Sequence, residues 1–249
     1  MEALLEELAL SGGGLAFVWS IVFLGALVQG SIGFGLNLIV VPAIATVRPE
    51  VLPAASIILA LPMTLGSAAR EWSHVDRKAI FWTTLGRLPG ITAGVWLVVV
   101  LAPDDLALVI GATVVFASGM SVLAPRIEIT RASQAGAGLL GGLMGTSSSI
   151  GGPPMALLYQ HESGPVMRST LGATFLVGTG LSLLALVAAG EVRGEHWRFG
   201  IAMMPAVLLG LFASRYFHGW LERGWLRPCV LGFAALSGLA VLVRGLIDA

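Results

Sequence analysis

Two stretches of this chain set glycines and neutral hydrogen-bonding side chains inside otherwise apolar sequence. The first is Gln29-Gly30-Ser31-Ile32-Gly33-Phe34-Gly35, with Asn37 just beyond it; the second is Gly145-Thr146-Ser147-Ser148-Ser149-Ile150-Gly151-Gly152. A helix that starts in the middle of an apolar layer points its unpaired N–H groups and positive dipole end at whatever lies beyond. Glycine lets the backbone approach a solute closely. Gln29, Ser31, Asn37, Thr146, Ser147, Ser148 and Ser149 add neutral donors. This chemistry suits a small anion held without a full counter-charge. Gly and Ser also let helices pack closely with no solute involved, which is how a single such segment would be read. Two matched segments point instead to a solute site that also takes in Gly33, Phe34, Gly35, Gly145, Gly151 and Gly152.

Arg87 is the other candidate. It is an ionised side chain deep within the apolar run 81–101. A charged residue at the centre of an isolated transmembrane helix costs about 2.5–3.5 kcal/mol, so it marks a polar pathway by default. Its helical stripe holds Thr83, Thr84, Gly90, Ile91 and Gly94, a packed interior rather than lipid. Two plainer roles stand beside attraction of a solute. Pro89 frees the carbonyl of Leu85, which Arg87 could satisfy, or the side chain could snorkel to an interface.

The elements that must position these residues follow from composition. Of 249 residues, 56% are hydrophobic and only 11% charged, and the mean hydropathy is +0.90. A water-facing surface carries about 25% charged residues, so the chain reads as an all-α integral membrane protein. Apolar runs at 57–69, 81–101, 106–124, 170–189, 201–217 and 230–243 supply the spans, several near the ~20 residues that cross a bilayer. No alternation of the β-barrel kind is present. Segment 15–29 looks too short to span; a break at 30–35 follows, then a short apolar piece at 36–47. Segment 135–145, a break at 146–152 and a piece at 153–160 repeat that pattern. Freed backbone groups in hydrocarbon must be covered by protein or by a water-filled cavity. Paired broken helices at matching places in two halves are the sequence signature of a transporter site.

The halves match at an offset of about 116 positions, which also pairs Pro89 with Pro205 and Gly94 with Gly210. Two homologous halves are expected, residues 1–125 and 126–249, joined through the polar stretch 125–133. Each would be an interrupted, re-entrant helical segment followed by three transmembrane helices. Re-entrant breaks gather Arg70, Arg77, Lys78, Arg126, Arg131, Arg168, Arg215, Arg223 and Arg227 on one side, a positive-inside bias that makes the halves inverted repeats. Eight full crossings, giving parallel repeats, show a slightly weaker bias. Gly86, Gly90 and Gly94, like Gly138 and Gly142, form small-xxx-small ladders for helix packing. The tryptophans lie mostly near span ends, as interfacial anchors do.

Several chemistries drop out. Zero formal net charge gives no basic patch for nucleic acid. Cys229 is the sole cysteine, and no His, Cys and carboxylate cluster has metal spacing, so neither disulfide, metal nor other cofactor is expected. Lys78 is the only lysine and no phosphate loop surrounds it. Ser147–Ser149 with His161 lacks a nucleophile elbow, so no enzyme activity is expected. His161 and Glu162 read as a solvated loop end. An acidic start (Glu2, Glu6, Glu7) argues against a cleavable signal, and Leu4, Leu5 and Leu8 suggest a short amphipathic turn.

The two break motifs, Gln29-Gly30-Ser31-Ile32-Gly33-Phe34-Gly35 with Pro42 downstream and Gly141-Gly142-Leu143-Met144-Gly145 leading to Gly151-Gly152-Pro153-Pro154, resemble those of the sulfite exporter TauE/SafE family. Length, duplication and spacing agree over essentially the whole chain. The second motif carries Thr146-Ser147-Ser148-Ser149-Ile150 where members often carry more glycine. The resemblance implies a multi-pass protein of a prokaryotic plasma membrane that moves sulfur-containing oxyanions or organosulfonates. The expected function is thus secondary transport of a small anion by alternating access around the two breaks, with a proton or sodium as possible coupling ion. An anion channel and a membrane scaffold without transport activity are the alternatives.

Overall fold

Asp76 shows how these helices begin: its carboxylate Oδ1 accepts from the backbone N–H groups of Lys78 (3.0 Å) and Ala79 (3.3 Å), capping the first turn. Thr130 and Ser133 do the same as a reciprocal capping box. The computed structural model describes residues 12–123 and 127–221, together with Gly232, Leu236, Leu239, Leu242 and Val243. The N-terminal turn, Cys229, Arg126, Arg223, Arg227 and most of the run 230–243 lie outside the described residues.

Among the described residues the order is α1 (Gly12–Ile32), α2 (Leu36–Val47), α3 (Ala54–Arg70), α4 (Arg77–Val100), α5 (Pro103–Leu123), α6 (Arg131–Ser147), α7 (Gly152–Tyr159), α8 (Gly164–Ala188) and α9 (Gly194–Leu221). Short 3-10 turns at Pro49–Val51 and Trp72–His74 complete it, and no strand occurs among these residues. Gly12–Ile32, Arg77–Val100, Gly164–Ala188 and Gly194–Tyr216 are long and apolar enough to cross a membrane. Their outward faces are apolar too: Phe81, Leu85, Trp96, Leu184, Leu209 and Phe212 are all exposed. A surface of that kind is stable against lipid, not water.

Both breaks reverse the chain. After α1, Gly33 (φ 91°) and Gly35 (φ 118°) adopt the left-handed region that favours glycine, and Gln29 Oε1 accepts from the Leu36 N–H at 3.1 Å, satisfying the first turn of α2. The chain folds back so that a Cβ on Gly25 would lie 3.0 Å from Val40. After α6, Ser149 takes φ 63°, and α7 returns with Gly151 so close to α6 that a Cβ there would strike the Gly141 carbonyl. Two boundaries correct the sequence expectation. α1 runs on through Gly30 and Ser31 to Ile32, so it has 21 residues and is not too short to span. Ser31 stays helical by donating to the Leu27 carbonyl at 2.8 Å, and glycine at 30 leaves room for Ser214 of α9. α6 likewise starts at Arg131 and continues through Thr146 and Ser147.

Helix pairs lock through glycine. On α4 and α6, a Cβ at Gly86, Gly90, Gly138 or Gly142 would strike the carbonyls of Ala135, Leu139, Thr83 and Arg87 in turn. α9 packs on α1 in the same way, with a Cβ on Gly210 falling 2.5 Å from the Phe23 carbonyl. Between α3 and α8 the close approach is at Gly172, where an added Cβ would lie 2.8 Å from the Ala68 nitrogen.

Polar groups hold the helix ends. At one end Arg168 of α8 makes a two-pronged ion pair with Glu71 (2.7 and 3.1 Å). Arg70 of α3 donates to the Gly30 carbonyl (3.1 Å) and to Ser214 (3.3 Å). Tyr159 donates to Asp76 (2.6 Å), Gln134 bonds both, and the Asp76 N–H donates to Thr170. At the far end of α3, Arg48 pairs with Glu50 and reaches Glu195 at 4.0 Å.

Candidate functional site

The two breaks meet. Asn37, in the first turn of α2, donates through Nδ2 to the Ser149 carbonyl at 2.8 Å. A Cβ on Gly152 would lie 3.6 Å from both Phe34 and Phe175. Around this junction is a cavity of about 60 Å³. Nine residues singled out in the sequence line it: Gln29, Phe34, Gly35, Asn37, Arg87, Gly145, Ser149, Gly151 and Gly152. Its remaining wall comes from Leu38, from Ile57, Ala60 and Thr64 of α3, from Gly141, Ile150 and Pro153, and from Phe175, Thr179 and Ser182 of α8. No carboxylate or histidine is among the lining residues, and among the described residues no group of His, Cys, Asp and Glu could hold a metal ion.

The other five residues lie elsewhere. Ser31, Ser147 and Ser148 donate to the carbonyls of Leu27, Leu143 and Met144 within their own helices. Thr146 bonds Ser182 of α8 at 2.8 Å. Gly33 packs on α8, where an added Cβ would lie 3.1 Å from the Arg168 Cα. Ser149 is the serine that connects segments: its hydroxyl donates to the Pro53 carbonyl at 2.8 Å, and its own carbonyl receives Asn37. A non-glycine residue at positive φ costs about 1–2 kcal/mol, and these two bonds hold it there. Gly151 has φ −90°, so its requirement is close approach to α6 rather than backbone conformation.

Arg87 lines the cavity from α4 and is 5% exposed, packed among protein atoms. Its guanidinium lies in a slot where side chains are missing. A Cβ on Gly178 of α8 would overlap it, and a Cβ on Gly141 would come within 3.0 Å of Nη2. A Cβ on Gly142 would lie 2.9 Å from the Arg87 Cγ. Nη2 is buried with no hydrogen-bond partner, and no ion pair to Arg87 occurs among the described residues. A buried, unpaired cation beside the N-terminal ends of α2 and α7 makes a strongly anion-attracting environment.

The α8 wall was missed in the sequence. Phe175, Gly178, Thr179 and Ser182 stand at the i, i+3, i+4, i+7 spacing of one helix face. This stripe of small and polar residues in a long apolar span was the available signal.

The family model described as Sulfite exporter TauE/SafE matches residues 18–241. No curated protein and no solved structure matched the chain. The family is one of membrane transporters for small anionic solutes, in keeping with the apolar spans and the buried guanidinium of the cavity. With the match covering nearly all of its length, this chain belongs to the sulfite exporter TauE/SafE family.

Proposed function

We propose that the protein is a secondary transporter of a small sulfur oxyanion, which it binds where the two helix breaks meet. Arg87 carries this reading, because a buried guanidinium with an unpartnered Nη2 is costly unless an anion completes it. The cavity, about 60 Å³, has room for a small oxyanion such as sulfite.

The halves 1–125 and 126–249 are read as a duplication. Shifted by about 116 positions, α1, α2, α3 and α4 fall on α6, α7, α8 and α9. α4 packs on α6 as α9 packs on α1, and each break folds back on its own helix. These features favour inverted repeats with re-entrant hairpins in a prokaryotic plasma membrane, the end with Arg70, Arg77, Lys78, Arg131 and Arg168 facing the cytoplasm. Alternating access then exposes the cavity to each side in turn.

The test is uptake into proteoliposomes with a panel of sulfur oxyanions and carboxylates under imposed pH, sodium and voltage gradients. Saturable sulfite uptake with exchange across the membrane is expected. Flux that does not saturate and shows no exchange would make it a channel. Absence of flux with every anion would leave a scaffold.

A further inference from the structure

Arg87 Nη2 is not the only unsatisfied group on the cavity-lining side chains. Asn37 Oδ1 is also buried without a hydrogen-bond partner, and Asn37 lines the same cavity. Its amide cannot be turned end for end without loss. Nδ2 donates to the Ser149 carbonyl at 2.8 Å, and an oxygen in its place would face another oxygen with no proton between them. The amide therefore leaves an acceptor unpaired near a guanidinium that leaves a donor unpaired. A fully ionised anion satisfies only the second. Its oxygens would oppose Asn37 Oδ1, and burying an acceptor against an acceptor is unfavourable.

We propose that the cavity takes its anion in a hydrogen-bearing form, as hydrogen sulfite rather than sulfite dianion, with Arg87 binding the ionised oxygens and Asn37 Oδ1 accepting the solute's proton in a hydrogen bond. This rests on the reading of the cavity as the transport site. It also gives proton coupling a route that needs no carboxylate, because the proton travels on the solute.

The surroundings support the solute as the titrating partner. Among the described residues Arg87 is the only charged group lining the cavity, and no Asp, Glu, His, Lys, Cys or Tyr lines it. The charged and titratable groups on the packed elements lie outside that lining. These are Arg48 after α2, Arg70 and Glu71 at the end of α3, Asp76, Arg77 and Lys78 at the start of α4, Arg131 on α6, Tyr159 on α7, His161 and Glu162 after it, and Arg168 on α8, with Asp105 on α5 and Glu195, His196, Arg198, Arg215 and Tyr216 on α9.

The experiment is calorimetric titration of the purified full-length protein with sulfite, and separately with nitrate, across the pH range in which hydrogen sulfite loses its proton. Nitrate has the same number of heavy atoms and no proton to give. The apparent Kd for total sulfite should rise about tenfold per pH unit once the dianion dominates, and nitrate should bind at least about tenfold more weakly than hydrogen sulfite. Asn37→Leu should narrow the gap between the two anions. Because that substitution also removes the bond to Ser149, the unmodified protein's pH profile decides independently of it. A sulfite Kd that stays flat or tightens as the dianion forms overturns the proposal and leaves the transport site standing, as does nitrate binding as tightly as hydrogen sulfite. Failure of sulfite to bind at any pH defeats the transport reading itself, and this proposal with it.

Discussion

Replacing Gly178 with alanine tests whether the slot around Arg87 aims the guanidinium. The new Cβ would overlap Nη1 and Cζ and would lie 2.7 Å from Nε. Ordinary contacts are about 3.5–4.0 Å, so even Nε must retreat by nearly ~1 Å and Nη1 by more. The guanidinium has to turn away from its present direction. A hydrogen bond to a charged group contributes about 1.5–3 kcal/mol. Its loss lowers anion affinity by roughly 10- to 150-fold at about 1.4 kcal/mol per tenfold. Calorimetric titration with sulfite reads this, and thermal unfolding of the same sample shows that the variant is folded. Gly180→Ala is the control on the same helix: its Cβ meets nothing within 4 Å, so affinity should hold and helix propensity can add up to about 1 kcal/mol of stability. A folded Gly178→Ala protein that binds sulfite with unchanged Kd would refute the role given to Arg87.

Arg87→Gln should weaken sulfite binding without preventing folding. Arg87→Lys should recover part of the affinity, since an ammonium keeps the charge but loses the planar fork; equal affinity in all three proteins would exclude contact with the anion. Gly90→Ala should lower thermal stability by about 1–3 kcal/mol, because its Cβ strikes the Leu139 carbonyl between two backbones, while sulfite Kd stays unchanged in the folded fraction. Ser149→Gly and Ser149→Ala both lose the hydroxyl bond to Pro53, but only glycine relieves the cost of φ 63°. The glycine variant should therefore be the more stable by about 1 kcal/mol, and the reverse order in thermal melts would remove the strain argument. Single cysteines at Arg48 and Lys78 in a Cys229→Ala background should label from opposite sides of the membrane, Lys78 from the cytoplasm. Labelling of both from one side would contradict the orientation of α3.

Much of the site could be read locally. The left-handed turns at Gly33 and Gly35, the N-terminus of α2 at Leu36 and the close return at Gly151 all depend on residues within a few positions of each break. The serines show the limit of such reading. Ser31, Ser147 and Ser148 are as polar in sequence as Ser149, yet a helix offers each a carbonyl four residues back, which it takes. Only Ser149, held out of the helix at positive φ, has its hydroxyl directed to another segment. The extent of α1 was misjudged for a related reason. Glycine is a poor helix former in isolation, but Gly30 remains helical because α9 packs where its side chain would be.

By itself the sequence determined the membrane class, the helical elements, the two breaks and the presence of one cation inside a span. These follow from hydropathy, glycine content and charge, which act over a few turns of chain. The tertiary structure decided which of those features converge. Gly178 lies far along the chain from Arg87, and Asn37 far from Ser149, so no local pattern could pair them. Their meeting depends on how close the helices come, which glycines on α4, α6 and α8 permit to within backbone contact. The burial of Arg87, and an Nη2 without a hydrogen-bond partner among the described residues, likewise come from that packing, because both are properties of the assembled helices.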